Sequence, residues 1–163
     1  VECRVYAEDP SAQFLPHAGP LLRYREPQGP GIRVDAGVRE GQDISVYYDP
    51  LIAKLIASGE TRATAFARAS LALRGFDILG LRHNIQFLLA LIEHPDVLAC
   101  HTHTRFIEDH LSALTGPLTD AETHAHVALA AVLAATPIAS PTAIAGRDLH
   151  AIDPWMTLGK VAW

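Results

Sequence analysis

The sequence predicts an α+β domain: a mostly antiparallel sheet packed by helices, with a helical and linker tail behind it. Three observations carry this. Up to about residue 59, apolar and polar residues alternate in short runs punctuated by Pro and Gly, the period of two expected of half-buried strands. From residue 60 the apolar spacing changes to that of an amphipathic helix. The composition, 49% hydrophobic and 19% charged over 163 residues, is a globular balance with room for one core and an appendage.

The first strand is VECRVYA, Val1–Ala7. Val1, Cys3, Val5 and Ala7 share one face, and Glu2, Arg4, Tyr6 and Glu8 continue along the other. A turn-rich stretch with Pro10, Pro16, Gly19 and Pro20 follows. LLRYRE (Leu21–Glu26) and IRVDA (Ile32–Ala36) flank the turn PQGPG and predict an antiparallel hairpin. ISVYYD (Ile44–Asp49) and LIAKLIASG (Leu51–Gly59) are further strand-like runs. Pro50 disfavours helical backbone at Asp49, which predicts an extended or turn aspartate there.

The helix from residue 60 carries Phe66, Ala69 and Leu73 on one stripe and ends near Gly75. DILGLRHN predicts a short strand or connector. Asn84 then stands as N-cap to a helix with Ile85, Leu88, Leu89 and Ile92 inward, stopping at His94-Pro95. A third helix is expected after a Thr104 cap, with Ile107, Leu111 and Leu114 buried and Gly116-Pro117 at its end. Thr119 and Glu122 form a capping-box pair before an alanine-rich helix to about Ala135. Residues 136–153 read as a linker, and DPWMTLGKVAW as a strand beginning. The expected organisation is a domain over 1–115 and a helix and linker over 116–163 that lead into a further domain. The abrupt ends read as those of a piece of a longer polypeptide.

A net charge of -5 offers no basic field for nucleic acid or an anionic membrane. No unbroken apolar run reaches the roughly eighteen residues of a membrane span. The two cysteines, Cys3 and Cys100, fit a reducing compartment and no disulfide framework. There is no Gly-rich phosphate loop, GxSxG, HExxH or CxxC.

Three constellations are candidates for chemistry. On the Glu2–Arg4–Tyr6–Glu8 face, the ordinary reading is a solvated strand with ion pairs. The functional one is that Arg4 presents its fork to a planar anion, oriented by Glu2 and Glu8. Asp49 is either a turn aspartate or a carboxylate that holds an arginine. The histidines after Cys100 do not fall at a metal-ligand spacing: His101 and His103 share a face only on a strand, and His124 and His126 share none on a helix. No metal is expected.

VECRVYAEDP, FLPHAGP, GIRVDAGVREGQDISVYYDPLIAKLIASGETRATA, DILGLRHNIQFLLALIEHP and THTRFIEDHL, in this order, resemble the C-terminal domain of biotin carboxylase. The style is closest to the biotin-carrying α subunits of acyl-CoA carboxylases of the methylcrotonoyl-, propionyl- or geranyl-CoA type. The resemblance implies ATP- and bicarbonate-dependent carboxylation of biotin, with magnesium or manganese. It implies that Arg4, in the ECR motif, stabilises the biotin ureido oxyanion, and that Asp49, in YYDP, links Arg4 toward a dimer interface. Arg33, in GIR, is similar to an interface arginine, although the aromatic residue some relatives carry three positions earlier is Pro30 here.

The partners implied are an upstream ATP-grasp domain that binds ATP and metal, a biotin carrier domain, a carboxyltransferase β subunit and a second copy of the parent chain. The compartment implied is bacterial cytoplasm, with the mitochondrial matrix as the alternative. The fragment alone is expected to be inactive. Other readings are a non-catalytic subunit-interaction module, centred on residues 117–163, or the equivalent domain of pyruvate or urea carboxylase.

Overall fold

The computed structural model describes residues 1–45 and 47–116; the helix, linker and strand expected beyond residue 116 lie outside these. The elements run β1 (Glu2–Tyr6), β2 (Glu8–Asp9), β3 (Leu15–Pro16), β4 (Gly19–Pro20), β5 (Arg23–Arg25), β6 (Ile32–Ala36), β7 (Asp43–Ile44), β8 (Leu51–Ala57), α1 (Arg62–Arg74), β9 (Asp77–Leu79), α2 (Ile85–Glu93), α3 (Pro95–Leu98) and α4 (Phe106–Leu114). The fold is α+β, and every strand pair among the described residues is antiparallel.

The organising element is a three-stranded sheet in the order β1-β8-β6. Its inner face carries Cys3 and Val5 from β1 and Ala53, Leu55 and Ala57 from β8, all buried. Helix α1 covers that face with Phe66, Ala69, Ala72 and Leu73, and α2 adds Ile85, Leu89 and Ile92. Strand β8 is apolar at six of its seven positions because the core takes both its alternating residues and, at an irregularity opposite Val5 and Tyr6, Ile52 as well. Thr61 caps α1 by accepting from the Thr64 amide at 3.2 Å, and the helix ends at Gly75.

The expected hairpin between Leu21–Glu26 and Ile32–Ala36 does not form. Strand β5 pairs with β9, Arg23 opposite Leu79 and Arg25 opposite Asp77, while β6 pairs with β8. Two prolines in the connection, Pro27 and Pro30, withhold amides that a tight turn would use. An Arg23–Asp77 ion pair joins β5 to its actual partner.

The expected strand Ile44–Asp49 also shrinks, since only Asp43–Ile44 pairs, with Gly19–Pro20. Two side chains bend the backbone instead. The Ser45 hydroxyl accepts from the Tyr47 amide at 3.0 Å, and Asp49 Oδ1 accepts from the Leu51 amide at 3.2 Å. Tyr47 and Tyr48 are left exposed. Asp49 thereby sits in a turn, one of the two geometries, extended or turn, expected before Pro50.

In α4 Leu114 is buried as expected and Leu111 is half-buried, but Ile107 is exposed and Phe106 takes the inward place in the first turn. The Phe106 ring stacks on His110 and meets His94 edge-on, and this aromatic cluster sets how the helix is turned. The side chain of Thr104 is not the cap; Arg105 occupies that position without a side-chain cap bond.

Candidate functional site: the outer face of the three-stranded sheet

The outer face of the sheet gathers most of the charge that sequence reasoning singled out. Pairing register sets it in rows. Glu2 lies opposite Ile56, which lies opposite Arg33; Arg4 lies opposite Lys54, which lies opposite Asp35. Arg4 and Lys54 are thus two cations directly across β1 and β8, an arrangement that repels unless carboxylates flank it. They do: Arg4 Nε donates to Glu2 Oε1 at 3.3 Å, and Lys54 Nζ is 4.0 Å from Asp35 Oδ2. Arg33 grips the same Asp35 with two hydrogen bonds, Nε to Oδ1 at 2.8 Å and Nη2 to Oδ2 at 3.0 Å.

The charge states follow from these contacts. Glu2, and after it Tyr6, raise the Arg4 guanidinium above its already high ordinary value, so Arg4 is a permanent cation. Its side chain is 62% exposed and available to a ligand or another domain. The Arg33 hydrogen bonds hold the Asp35 carboxyl below the usual carboxylate range against an opposing effect of burial, helped by the charges of Arg33 and Lys54.

Of the residues expected to surround Arg4, Glu2 does so. Glu8 lies past the end of β1, in β2 opposite Pro16. Burial first, and then the charge of Asp49, push its carboxyl up. Asp49 is exposed in its turn before β8, and its Oδ1 takes the Leu51 amide. Arg33 is on the same outer face as Arg4, two strands away.

Lys54 and Asp35 were missed as members of this face. One signal was legible: Lys54 is the single charged residue of the apolar run LIAKLIA, and a charge there marks the face that does not enter the core.

The backbone beneath Arg4 is also held at the edge away from β8. Asn84, expected as a helix cap, has no capping bond; its side chain is turned to β1 and only 5% of the residue is exposed. Asn84 Oδ1 accepts from the Tyr6 amide at 2.9 Å, and Asn84 Nδ2 donates to the Arg4 carbonyl at 3.2 Å. The Asn84 amide donates to the Tyr6 carbonyl at 3.2 Å. One residue thereby stands in for a strand along the open edge of β1.

Away from this face, His94, Asp96 and His110 bring three possible ligand atoms within 4.8 Å of one another. His94 Nδ1 accepts from the Asp96 amide at 3.2 Å, which places the proton of the neutral ring on Nε2. That ring caps α3, and a cation at its other nitrogen would require the cap to break.

Comparison with known proteins covers the stretch that contains this face. Residues 2–109 match the biotin carboxylase C-terminal domain family. The mitochondrial methylcrotonoyl-CoA carboxylase subunit alpha of Mus musculus is 44% identical over 110 residues, 67% of this chain and 15% of that protein. The biotin carboxylase of Halalkalibacterium halodurans is 40% identical over 116 residues, 71% of this chain and 25% of that protein. The crystal structure of the biotin carboxylase domain dimer of the Hydrogenobacter thermophilus 2-oxoglutarate carboxylase, in complex with MgADP, ADP and bicarbonate, superposes with a TM-score of 0.69. It is 36% identical and covers 72% of this chain and 26% of that one. The chain thus spans between about one seventh and one quarter of the proteins it matches. Among the described residues, no helix is long and apolar enough to cross a membrane.

Proposed function

Because the chain belongs to the biotin carboxylase C-terminal domain family, we propose that its outer sheet face forms one wall of the biotin site in a biotin-dependent acyl-CoA carboxylase, with Arg4 as the residue that acts. The observation that carries this is Arg4 itself: a permanent cation on an outward strand face, side chain mostly exposed, with Lys54 beside it.

Biotin, when bound, supplies a ureido ring that accepts the carboxyl group. What this chain contributes is electrostatic. The Arg4 guanidinium, planar and always charged, fits a planar ring oxygen on which negative charge develops. Glu2 fixes one side of the guanidinium through Nε, so the fork need not reorganise as that charge grows. Lys54 deepens the positive potential of the row, and Asp35 keeps it from spreading toward β6. Asp49 acts at one remove. Its charge lies near Glu8, just past the end of the strand that carries Arg4, and its turn is where contact with a second copy is proposed. Arg33 belongs to that same contact.

ATP and its magnesium or manganese are assigned to an ATP-grasp domain upstream. Biotin arrives on a carrier domain, and a carboxyltransferase β subunit takes the carboxyl group onward to an acyl-CoA. The compartment follows the parent chain, bacterial cytoplasm or mitochondrial matrix.

The test is made on the parent polypeptide: bicarbonate-dependent ATP cleavage and carboxylation of free biotin, wild type against Arg4→Ala. The expected result is loss of about 10²–10³ in biotin carboxylation with nucleotide binding unchanged. Full carboxylation by Arg4→Ala refutes the reading.

A further inference from the structure

Asn84 is the one polar residue that is buried among the described residues. It follows a turn and precedes α2, the place where an Asn usually accepts an amide of its own helix. Here it forgoes that bond. Both ends of its carboxamide go instead to β1, on either side of Val5: Nδ2 to the Arg4 carbonyl at 3.2 Å and Oδ1 to the Tyr6 amide at 2.9 Å.

The pairing with β8 secures one edge of β1. At the other edge the polar groups of Arg4 and Tyr6 face away from β8, and Asn84 satisfies them, its own main-chain amide adding a bond to Tyr6 at 3.2 Å. The carboxamide is itself anchored, because Ile85, Phe87 and Leu89 fix α2 in the core. A rigid helix therefore sets the position and twist of the strand segment that carries the Arg4 side chain. Displacements of about 1 Å at such a group can cost 10²-fold in rate.

We propose that Asn84 is a positioning residue for Arg4: a buried carboxamide clamp that holds the Arg4 backbone so that its guanidinium is aimed before biotin arrives. The proposal rests on the reading of Arg4 given above and names a residue that acts through it. The role asks for both a donor and an acceptor of fixed length. Asp supplies only the acceptor when ionised, and Ala supplies neither.

The experiment is a double-mutant cycle in the full-length parent enzyme, with Arg4→Ala, Asn84→Asp, Asn84→Ala and the Asn84→Asp/Arg4→Ala pair. Two rates are read: carboxylation of free biotin, and bicarbonate-dependent ATP cleavage without biotin. The expected result for Asn84→Asp is a 10- to 100-fold fall in kcat for biotin carboxylation. KM for ATP and the biotin-independent rate should stay within about twofold of wild type. In the Arg4→Ala background, Asn84→Asp should produce no further fall, because the residue it serves is already gone.

Asn84→Asp is nearly isosteric, so the test stands if Asn84→Ala does not fold. Equal falls in both rates, or a fall that adds to that of Arg4→Ala, would make Asn84 merely structural and overturn the proposal. A wild-type rate for Asn84→Asp beside an inactive Arg4→Ala overturns it too, while leaving the reading of Arg4 intact. Full activity of Arg4→Ala overturns the reading of the site itself.

Discussion

The side-chain amide of Asn84 donates to the main-chain oxygen of Arg4 at 3.2 Å, across 80 residues of sequence. The bond joins the start of α2 to the strand that presents the exposed guanidinium. It also shows where stability and function separate in this domain. Among the described residues the Arg4 side chain contributes to no core contact, whereas its backbone is held by two elements.

That separation governs the first prediction. Arg4→Ala and Arg4→Lys should both leave the melting temperature almost unchanged, because the side chain is exposed and, among the described residues, interacts with Glu2 and Tyr6. Their activities should differ in a graded way. Lys keeps the charge and loses the planar fork, so Arg4→Lys should retain more biotin carboxylation than Arg4→Ala yet fall short of wild type. Calorimetry and the carboxylation rate read the two effects separately.

A second prediction compares two leucines of α1, two residues apart. Leu73 is 1% exposed and Leu71 is 74% exposed. Leu73→Ala should cost about 2–5 kcal/mol, through lost burial and the cavity left under β8. Leu71→Ala should stay within about 0.5 kcal/mol, as for other surface substitutions. Urea unfolding of each variant checks this, and equal losses would mean that α1 is turned differently about its axis.

How much could be read from the sequence depended on whether the determinant was local. Strand β1 and helix α1 were legible because their own alternation and stripe match what the core takes: Cys3 and Val5, then Phe66, Ala69 and Leu73. Strand β5 was recognised and its partner was not, because β9 lies more than 50 residues on and nothing in RYR names DIL. Arg4, Glu2 and Asp49 were legible as polar residues in marked positions. Asn84 was placed at the head of the right helix and given the wrong task, since choosing between its own helix and β1 is a matter of tertiary packing. Asp35 and Lys54 became a site only when register set them in the row of Arg4.

The third prediction concerns Gly80, which closes β9 with φ of +107°. A Cβ there would overlap the Pro20 carbonyl oxygen and lie 2.9 Å from Leu22 Cγ. Backbone strain and overlap act together, so Gly80→Ala should cost about 3 kcal/mol or more and loosen the β5–β9 pair. A methyl group at Gly37 would meet nothing within 4 Å, and the backbone there has no positive φ, so Gly37→Ala should be near neutral. Paired urea melts decide it.

A fourth prediction follows from how small a share of its relatives the chain spans. The isolated chain should neither hydrolyse ATP in a bicarbonate-dependent way nor carboxylate free biotin, because nucleotide and metal are proposed to bind outside it, in a domain upstream. Phosphate release with and without bicarbonate is the measurement. Bicarbonate-stimulated release by the isolated chain would place nucleotide chemistry within these 163 residues.

The last prediction turns on Glu8, whose carboxyl is pushed above its ordinary value by burial and then by the charge of Asp49. The sign follows from linkage. A carboxyl with a raised folded-state pKa favours the folded state when protonated. That contribution is fully present below the ordinary value of 4.5 and is lost as pH rises through the folded-state value. Above that window the carboxylate form bears the cost of its burial and of the neighbouring Asp49 charge. Glu8→Gln keeps the group neutral at every pH and should be more stable than wild type near neutrality, with the advantage vanishing below about pH 4. Asp49→Asn should lower the Glu8 pKa only in part, because burial is the larger cause and remains. Urea unfolding at a series of pH values tests both. If the Glu8→Gln advantage is the same at acid and neutral pH, the gain comes from packing and the carboxyl is not the source.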